Sequence, residues 1–383
     1  MQNSEVVESI LNYHKDFNYE DSEKWLERME KIEAREFLVA NQVFFEKGGN
    51  HSQEKSRRRD LFLKIIKEKI HSKIPNFPKG HPVDNCLREN RVLKELVSKI
   101  SKNILKKSLK KREIIELFNK TNLHYLKKEE ALFPYLEKRG FTYPSDWMWE
   151  FHDEIRESIK TLKSRFKEEL GRQYINEVRR ILKNVNEMTI REEKMLLPAA
   201  VAILSSEDWS MVRESEALVG YILEIEPPFW QLEIKNSKSS LKKEILSLKV
   251  GELTVSQLNL IFSHLPIDIT MVDEHGKVVF FNQSKDRIFS RTPSIIGREV
   301  KLCHPPKSLD KVLKILDAFK NGTKNEAQFW IKLEDKTIHI RYFALKDENG
   351  KYKGVLETTQ DISKMGELKG EKRLLDWQEG SIA

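Results

Sequence analysis

Between residues 81 and 198 the chain repeats one arrangement: an isolated histidine, or a glutamate pair, set among apolar residues in a segment that reads as a long helix. His81 lies in Gly80-His81-Pro82-Val83. His124 and Glu129 lie in His124-Tyr125-Leu126-Lys127-Lys128-Glu129-Glu130-Ala131-Leu132-Phe133-Pro134. His152 lies in Trp149-Glu150-Phe151-His152-Asp153-Glu154, and Glu192-Glu193 precede Leu196-Leu197-Pro198. Imidazole nitrogens and carboxylate oxygens converging from facing helices are what a mononuclear or dinuclear non-haem iron site in a bundle core requires.

Helical periodicity tests which of these residues face inward. Ile155, Ile159, Leu162 and Phe166 form one stripe, and His152 precedes it by three residues on the same face. His124 borders the face of Leu117, Leu132 and Tyr135, and Glu129 falls on the adjacent stripe of Leu126, Phe133 and Leu136. Ile181, Val185, Met188, Glu192 and Met195 share a face, with Glu193 about 100° round the helix, so either acid remains a candidate. Glu89 follows His81 by eight residues, about 12 Å of helix, which makes it a poorer partner for an ion held by His81. The bland alternative for each histidine is a hydrogen-bonded core residue.

These residues need helices to carry them. Four helical stretches are expected near 82–104, 110–138, 145–170 and 172–203, joined by short breaks such as Lys138-Arg139-Gly140 and Tyr143-Pro144-Ser145. Short connections make antiparallel neighbours, hence an all-α up-and-down four-helix bundle over residues 80–204. Residues 1–75 read as a separate helical domain of unassigned role, and residues 205–250 as a helical connector and an exposed Lys- and Ser-rich linker. Beyond it the apolar period changes from 3.6 toward 2. Ile269 to Val272 and Lys277 to Asn282 flank the turn Asp273-Glu274-His275-Gly276 as a hairpin. Further strands are expected at 327–333, 337–345 and 354–360. Residues 251–365 are therefore expected to form an α+β domain with an antiparallel sheet, followed by a helical tail over 366–383.

At 383 residues the chain is long enough for two or three domains. It has no apolar run near the ~20 residues needed to span a bilayer and no signal-peptide pattern at its start, which predicts a cytoplasmic protein. Cys86 and Cys303 are the sole cysteines, too few for a disulfide framework or a cysteine zinc site. The net charge is +8 with 33% charged residues. The basic runs Lys106 to Arg112 and Lys55 to Arg59 read as solvated helix faces rather than a nucleic-acid surface, because no recognition motif accompanies them.

With those residues in hand, the 81–204 region resembles the hemerythrin-like cation-binding family, whose bundles bind non-haem iron. The resemblance implies a carboxylate-bridged di-iron site and a ligand set of His81, His124, Glu129, His152 and Glu193 or Glu192. The chain departs from the family's pattern at three places. Lys128 stands where members place an acid four residues after the second-helix histidine, His152 has no second histidine on its helix, and Met188 stands at a position often held by histidine. Two ions, one ion or a lost site are the outcomes this leaves open.

Residues 258–377 resemble a PAS sensor domain. The likeness rests on Leu265-Pro266-Ile267-Asp268-Ile269-Thr270, Asn282, Arg287-Ile288-Phe289, Ile296-Gly297-Arg298, Phe329-Trp330-Ile331, Arg341-Tyr342-Phe343 and Gln360-Asp361-Ile362-Ser363. Its ligand is open. Cys303 and His304 are the candidate cofactor residues, with helix capping near Pro305-Pro306 as the bland reading, and the cysteine motif of flavin-adduct PAS domains is absent. The order helical domain, hemerythrin-like bundle, PAS domain also resembles one multidomain subgroup.

The two resemblances imply a cytoplasmic sensor or signalling protein, not primarily an enzyme. It would bind iron, and through it oxygen, nitric oxide or redox state, and would signal through a protein partner or a homodimer formed by the PAS domain and the C-terminal helix. The alternatives are a di-iron enzyme acting on oxygen, peroxide or nitric oxide or in iron-centre repair, and a metal-free structural adaptor.

Overall fold

The computed structural model describes residues 31–46, 63–165, 171–230, 245–284, 287–304, 306–333, 335–368 and 370–371. The expected tail beyond 371, most of the Lys- and Ser-rich linker, and much of the N-terminal stretch lie outside these. By its internal contacts the chain forms two units, Met1–Lys238 with Arg291–Leu309, and Ser239–Ser290 with Asp310–Ala383.

In the helical unit, α1 (Ala34–Glu46) precedes α2 (Pro82–Leu105), α3 (Lys111–Lys127), α4 (Phe133–Lys138), α5 (Tyr143–Ser164), α6 (Arg172–Arg191), α7 (Leu197–Ile203) and α8 (Ser206–Val219). Helix α2 touches α3, α3 touches α5, α5 touches α6 and α6 returns to α2, closing a four-helix bundle. The apolar stripes read from the sequence line its core: Leu93, Leu96 and Ile100 of α2, Ile114 and Leu117 of α3, Ile155, Ile159 and Leu162 of α5, and Ile181, Val185 and Met188 of α6. Ile32, Phe37 and Leu38 near or in α1, and Trp209 and Val212 of α8, belong to the same apolar cluster.

Two helices contain a π turn. Residues Lys128–Leu132 join α3 to α4, and Glu192–Leu196 join α6 to α7. Each precedes a proline at the second position of the next helix, Pro134 or Pro198. A proline offers no N–H to the carbonyl four residues back and its ring crowds that carbonyl. The widened turn relieves the conflict, with Phe133 N–H reaching Lys128 O and Leu197 N–H reaching Glu192 O. The carbonyl four residues before Pro134 is that of Glu130. The hydroxyls of Thr292 (2.7 Å) and Ser294 both donate to it. Arg298 completes this attachment within the helical unit, its guanidinium gripping both oxygens of Glu137 at 2.7 and 2.8 Å.

The second unit holds a five-stranded antiparallel sheet in the order β4-β3-β7-β6-β5, from β3 (Asp268–Asp273), β4 (Val278–Phe281), β5 (Glu326–Leu333), β6 (Lys336–Lys346) and β7 (Tyr352–Asp361). These are the five strands expected from the period-2 pattern. A small hairpin, β1 (Ile245–Ser247) with β2 (Glu252–Thr254), leads into α9 (Val255–His264). Alternation on β6 turns Ile338, Ile340 and Tyr342 inward onto Phe319 of α10 (Pro306–Lys320). Asn282 fixes the hairpin end: its Oδ1 accepts from Ile269 N, and its Nδ2 donates to Phe262 O and Ile267 O. Gly354 has φ +133°, and a Cβ there would stand 2.0 Å from Val272 O, so only glycine fits this crossing of β3 and β7.

Candidate functional site

Around His124 and His152 the bundle core pairs three of its buried carboxylates with these two histidines and three cationic side chains. Glu89 of α2 presents Oε2 to His124 Nδ1 at 2.6 Å and Oε1 to Lys127 Nζ, and Ile222 N–H also donates to Oε1 at 3.1 Å. Glu192, at the start of the second π turn, presents Oε2 to His124 Nε2 at 2.9 Å and Oε1 to Lys128 Nζ at 2.7 Å. Glu129, in the first π turn, presents Oε1 to His152 Nδ1 at 2.6 Å and Oε2 to Arg156 Nη2 at 2.8 Å. Each carboxylate thus has one oxygen on an imidazole and the other on a cation.

Electrostatics follow from that pairing. Burial alone would raise the carboxylates, but Lys127 and His124 hold Glu89 down at about 2, and Arg156 and His152 hold Glu129 at about 2. Glu192 is likewise held low, by Lys128 and His124 against burial. Burial pushes His152 down to about 4 in spite of Glu129. Its ring stacks on Tyr125 at 4.1 Å and 8°, and its Nε2 is buried with no hydrogen-bond partner among the described residues.

The other sequence candidates lie elsewhere. His81 is the N-cap of α2, its Nδ1 accepting from Val83 N–H at 3.1 Å, and it stacks on Phe77 and packs edge-on against Trp230. Burial lowers it to about 4. Glu193 turns outward to Lys94, 2.6 Å away, so of the neighbouring pair it is Glu192 that enters the core. Cys303 and His304 follow a short 3-10 turn at Val300–Leu302. Cys303 Sγ donates to Glu299 O at 3.5 Å, and burial pushes the thiol up to about 11 and the imidazole down to about 4.

Sequence reasoning ranks Glu89 as a poorer partner and gives Cys86, Lys127, Lys128 and Arg156 no place in the site. Glu89 was measured from His81, which is a helix cap and not part of the centre. Cys86 Sγ, a nitrogen of His124 and an oxygen of Glu192 all lie within 4.8 Å of one another, a group able to hold one cation, and no other such group of three occurs among the described residues. Here Glu89 orients His124 through Nδ1, as carboxylates orient metal-binding histidines, and Lys128 anchors the second oxygen of Glu192.

The donor set fits one ion and does not fit two. A carboxylate-bridged pair of ions needs carboxylate oxygens from several helices. Here the second oxygen of Glu89, Glu192 and Glu129 already faces Lys127, Lys128 or Arg156.

Residues 81–200 match the hemerythrin HHE cation binding domain, and residues 258–363 match the PAS domain. No curated protein matches the chain. Among solved structures it is similar to the C-terminal domain of a Streptococcus mutans protein, at 39% identity over 33% of this chain and 98% of that one, with a TM-score of 0.32. It is also similar to a PAS domain from Colwellia psychrerythraea (20% identity, 28% and 97% covered, TM-score 0.23). A third likeness is to a sensory box sensor histidine kinase from Vibrio cholerae (14% identity, 28% and 90% covered, TM-score 0.22). No described helix is long and apolar enough to cross a membrane. The closed four-helix bundle lies where the first match falls and the five-stranded antiparallel sheet where the second falls, and the chain accordingly carries a hemerythrin HHE domain followed by a PAS domain.

Proposed function

We propose that the chain is a sensor or signalling protein in which the helical unit holds one metal cation and the PAS domain passes the response to a protein partner. The observation that carries this reading is the joining, in one chain, of a cation-binding bundle to a domain of the sensory class.

Cys86, His124 and Glu192 would hold the ion, with Glu89 and Lys128 as the residues that orient them. A thiolate, an imidazole and a carboxylate favour iron, zinc or cobalt over magnesium or calcium, and iron is the ion the family resemblance implies. Bound there, iron would supply one-electron redox chemistry and an open coordination position suited to oxygen or nitric oxide. The chain's own part is to keep the donors dry and fixed: all three residues are buried, and the bundle closes over them. PAS domains commonly mediate dimerisation or protein contacts, and a homodimer through the PAS domain is the assembly we propose.

The test is metal content by mass spectrometry, with an absorption spectrum, on protein purified without an affinity tag or chelator and again after anaerobic ferrous loading. One iron per chain, lost in Cys86→Ser and His124→Ala, supports the reading. No iron in either preparation turns the bundle into an adaptor and moves the function to the PAS domain. Turnover with an electron donor would make the protein an enzyme. A monomer at micromolar concentration by size exclusion with light scattering would exclude the homodimer.

A further inference from the structure

From the pairing of the core carboxylates we infer that Lys127, Lys128 and Arg156 take the place of metal cations in this bundle, so that it folds without metal and excludes a dinuclear centre.

Glu89, Glu129 and Glu192 bring three negative charges into the core, and Lys127, Lys128 and Arg156 bring three positive charges onto the same carboxylates. Both lysines are buried, although lysine is rarely so placed without a partner. Aromatic faces complete their surroundings: Lys127 Nζ lies 4.3 Å from the centre of the Tyr221 ring, and Lys128 Nζ lies 4.8 Å from that of Tyr125. Lys128 Nζ also donates to His124 O at 3.2 Å, and Arg156 donates to Asn122 Oδ1 and Asp153 Oδ1 at 3.0 Å each. The cations are therefore held on several sides, and they are not surface lysines that have fallen inward.

A second dication would have to displace one of these groups from its carboxylate and leave a buried charge without its partner, a strongly unfavourable exchange. The single ion proposed above makes no such demand, because it uses Glu192 Oε2 and leaves Lys128 on Oε1. The inference stands on the ion pairs and does not depend on whether that ion binds.

The full-length chain is stripped with a chelator, its thermal unfolding is compared with that of untreated protein, and Co(II) is titrated in while visible absorption is followed. We expect cooperative unfolding with the secondary structure intact after stripping, and saturation at no more than one Co(II) per chain. Saturation at zero would sink the single-ion function above while leaving this inference intact. Saturation at two, or loss of the fold on stripping, would overturn the inference. Lys128→Glu removes the cation, adds a carboxylate beside Glu192, and should raise the number of Co(II) ions bound by one. A folded Lys128→Glu protein, verified by circular dichroism, that binds no more Co(II) than wild type would also overturn it. Should that variant fail to fold, Lys128→Met is titrated in its place: its folded protein should gain affinity for a cation at Glu192, and unchanged binding counts against the inference.

Discussion

Lys128 Nζ stands 2.7 Å from Glu192 Oε1, and the two residues open the two π turns of the bundle, one on each side of the core. This pair is buried at both ends, whereas the Lys94–Glu193 pair one residue further along is partly exposed. Breaking a buried pair leaves a charge uncompensated and costs about 3–5 kcal/mol, while an exposed pair contributes about 0–1 kcal/mol. Lys128→Met should therefore lower stability in chemical denaturation by several kcal/mol, and Lys94→Met by less than about 1 kcal/mol. Equal effects would show that burial does not govern the two pairs.

His81 and His124 look alike in sequence, and the structure separates them. His81→Ala should remove a helix cap and the stacking on Phe77, with a loss of about 1–3 kcal/mol and unchanged metal content. His124→Ala should lower both stability and metal content. Metal analysis beside urea denaturation of the two variants decides the assignment, and iron lost from His81→Ala would place His81 at the ion.

Thr292 and Ser294 supply donors to a carbonyl that Pro134 cannot reach. A buried acceptor left without a donor costs about 1–3 kcal/mol. The double variant Thr292→Val with Ser294→Ala should show that loss. With Pro134→Ala added, the loss should shrink, because the new N–H offers Glu130 O a donor from its own helix. A double-mutant cycle reads the coupling, and additive effects would refute it.

Glu216 is the core acid whose behaviour runs opposite to the rest. Burial pushes it up to about 7, although Lys127 lies near and Asn85 Nδ2 donates to it at 3.0 Å. A folded-state value above the unfolded one means that its contribution to stability is complete below about pH 4.5 and is lost as the pH rises through 7. Glu216→Gln, which keeps the acceptor for Asn85, should therefore be more stable than wild type by about 2–3 kcal/mol at pH 8 and close to it at pH 4. His81 and His152 carry the opposite slope. Held near 4 in the fold, they contribute above pH 6.5, and that contribution fades as the pH falls toward 4. Melting temperatures of the variant and the parent between pH 4 and 8 test both signs.

Much of this architecture can be read without coordinates, and what cannot be read has a physical cause. Apolar residues at helical spacing gave the four bundle helices, and alternation gave all five strands of the sheet, because burial on one face leaves a periodic trace. Glu192 and Glu193 sit side by side on a helix; periodicity puts Glu192 on the inward face, but with Glu193 only about 100° round it leaves both acids as candidates. The structure turns Glu192 inward on the face of Val185 and Met188, and the π turn that begins there is signalled in sequence only by the proline six residues later. Lys128 enters the sequence reading only as a departure from the family's acid and Lys127 is given no role there, because lysine is rarely buried without a partner. Glu89 ranks low in the sequence because distance counts there along one helix, while its partners His124 and Lys127 come from another.

A π turn is an α-helix carrying one residue more than its length requires, so every side chain after it is rotated by about 100° relative to an uninterrupted helix. Lys128–Leu132 and Glu192–Leu196 are in that sense two single-residue insertions retained inside a bundle, one on each of two helices. Shortening either by one residue would leave an unbroken helix and turn everything beyond it, Phe133 and Leu136 in one case and Leu197 and Ala200 in the other, away from the core they now fill. The frame of the chain at these two places is therefore as constrained as its composition: a substitution within either segment alters one contact, whereas a deletion there changes the address of every residue that follows on that helix.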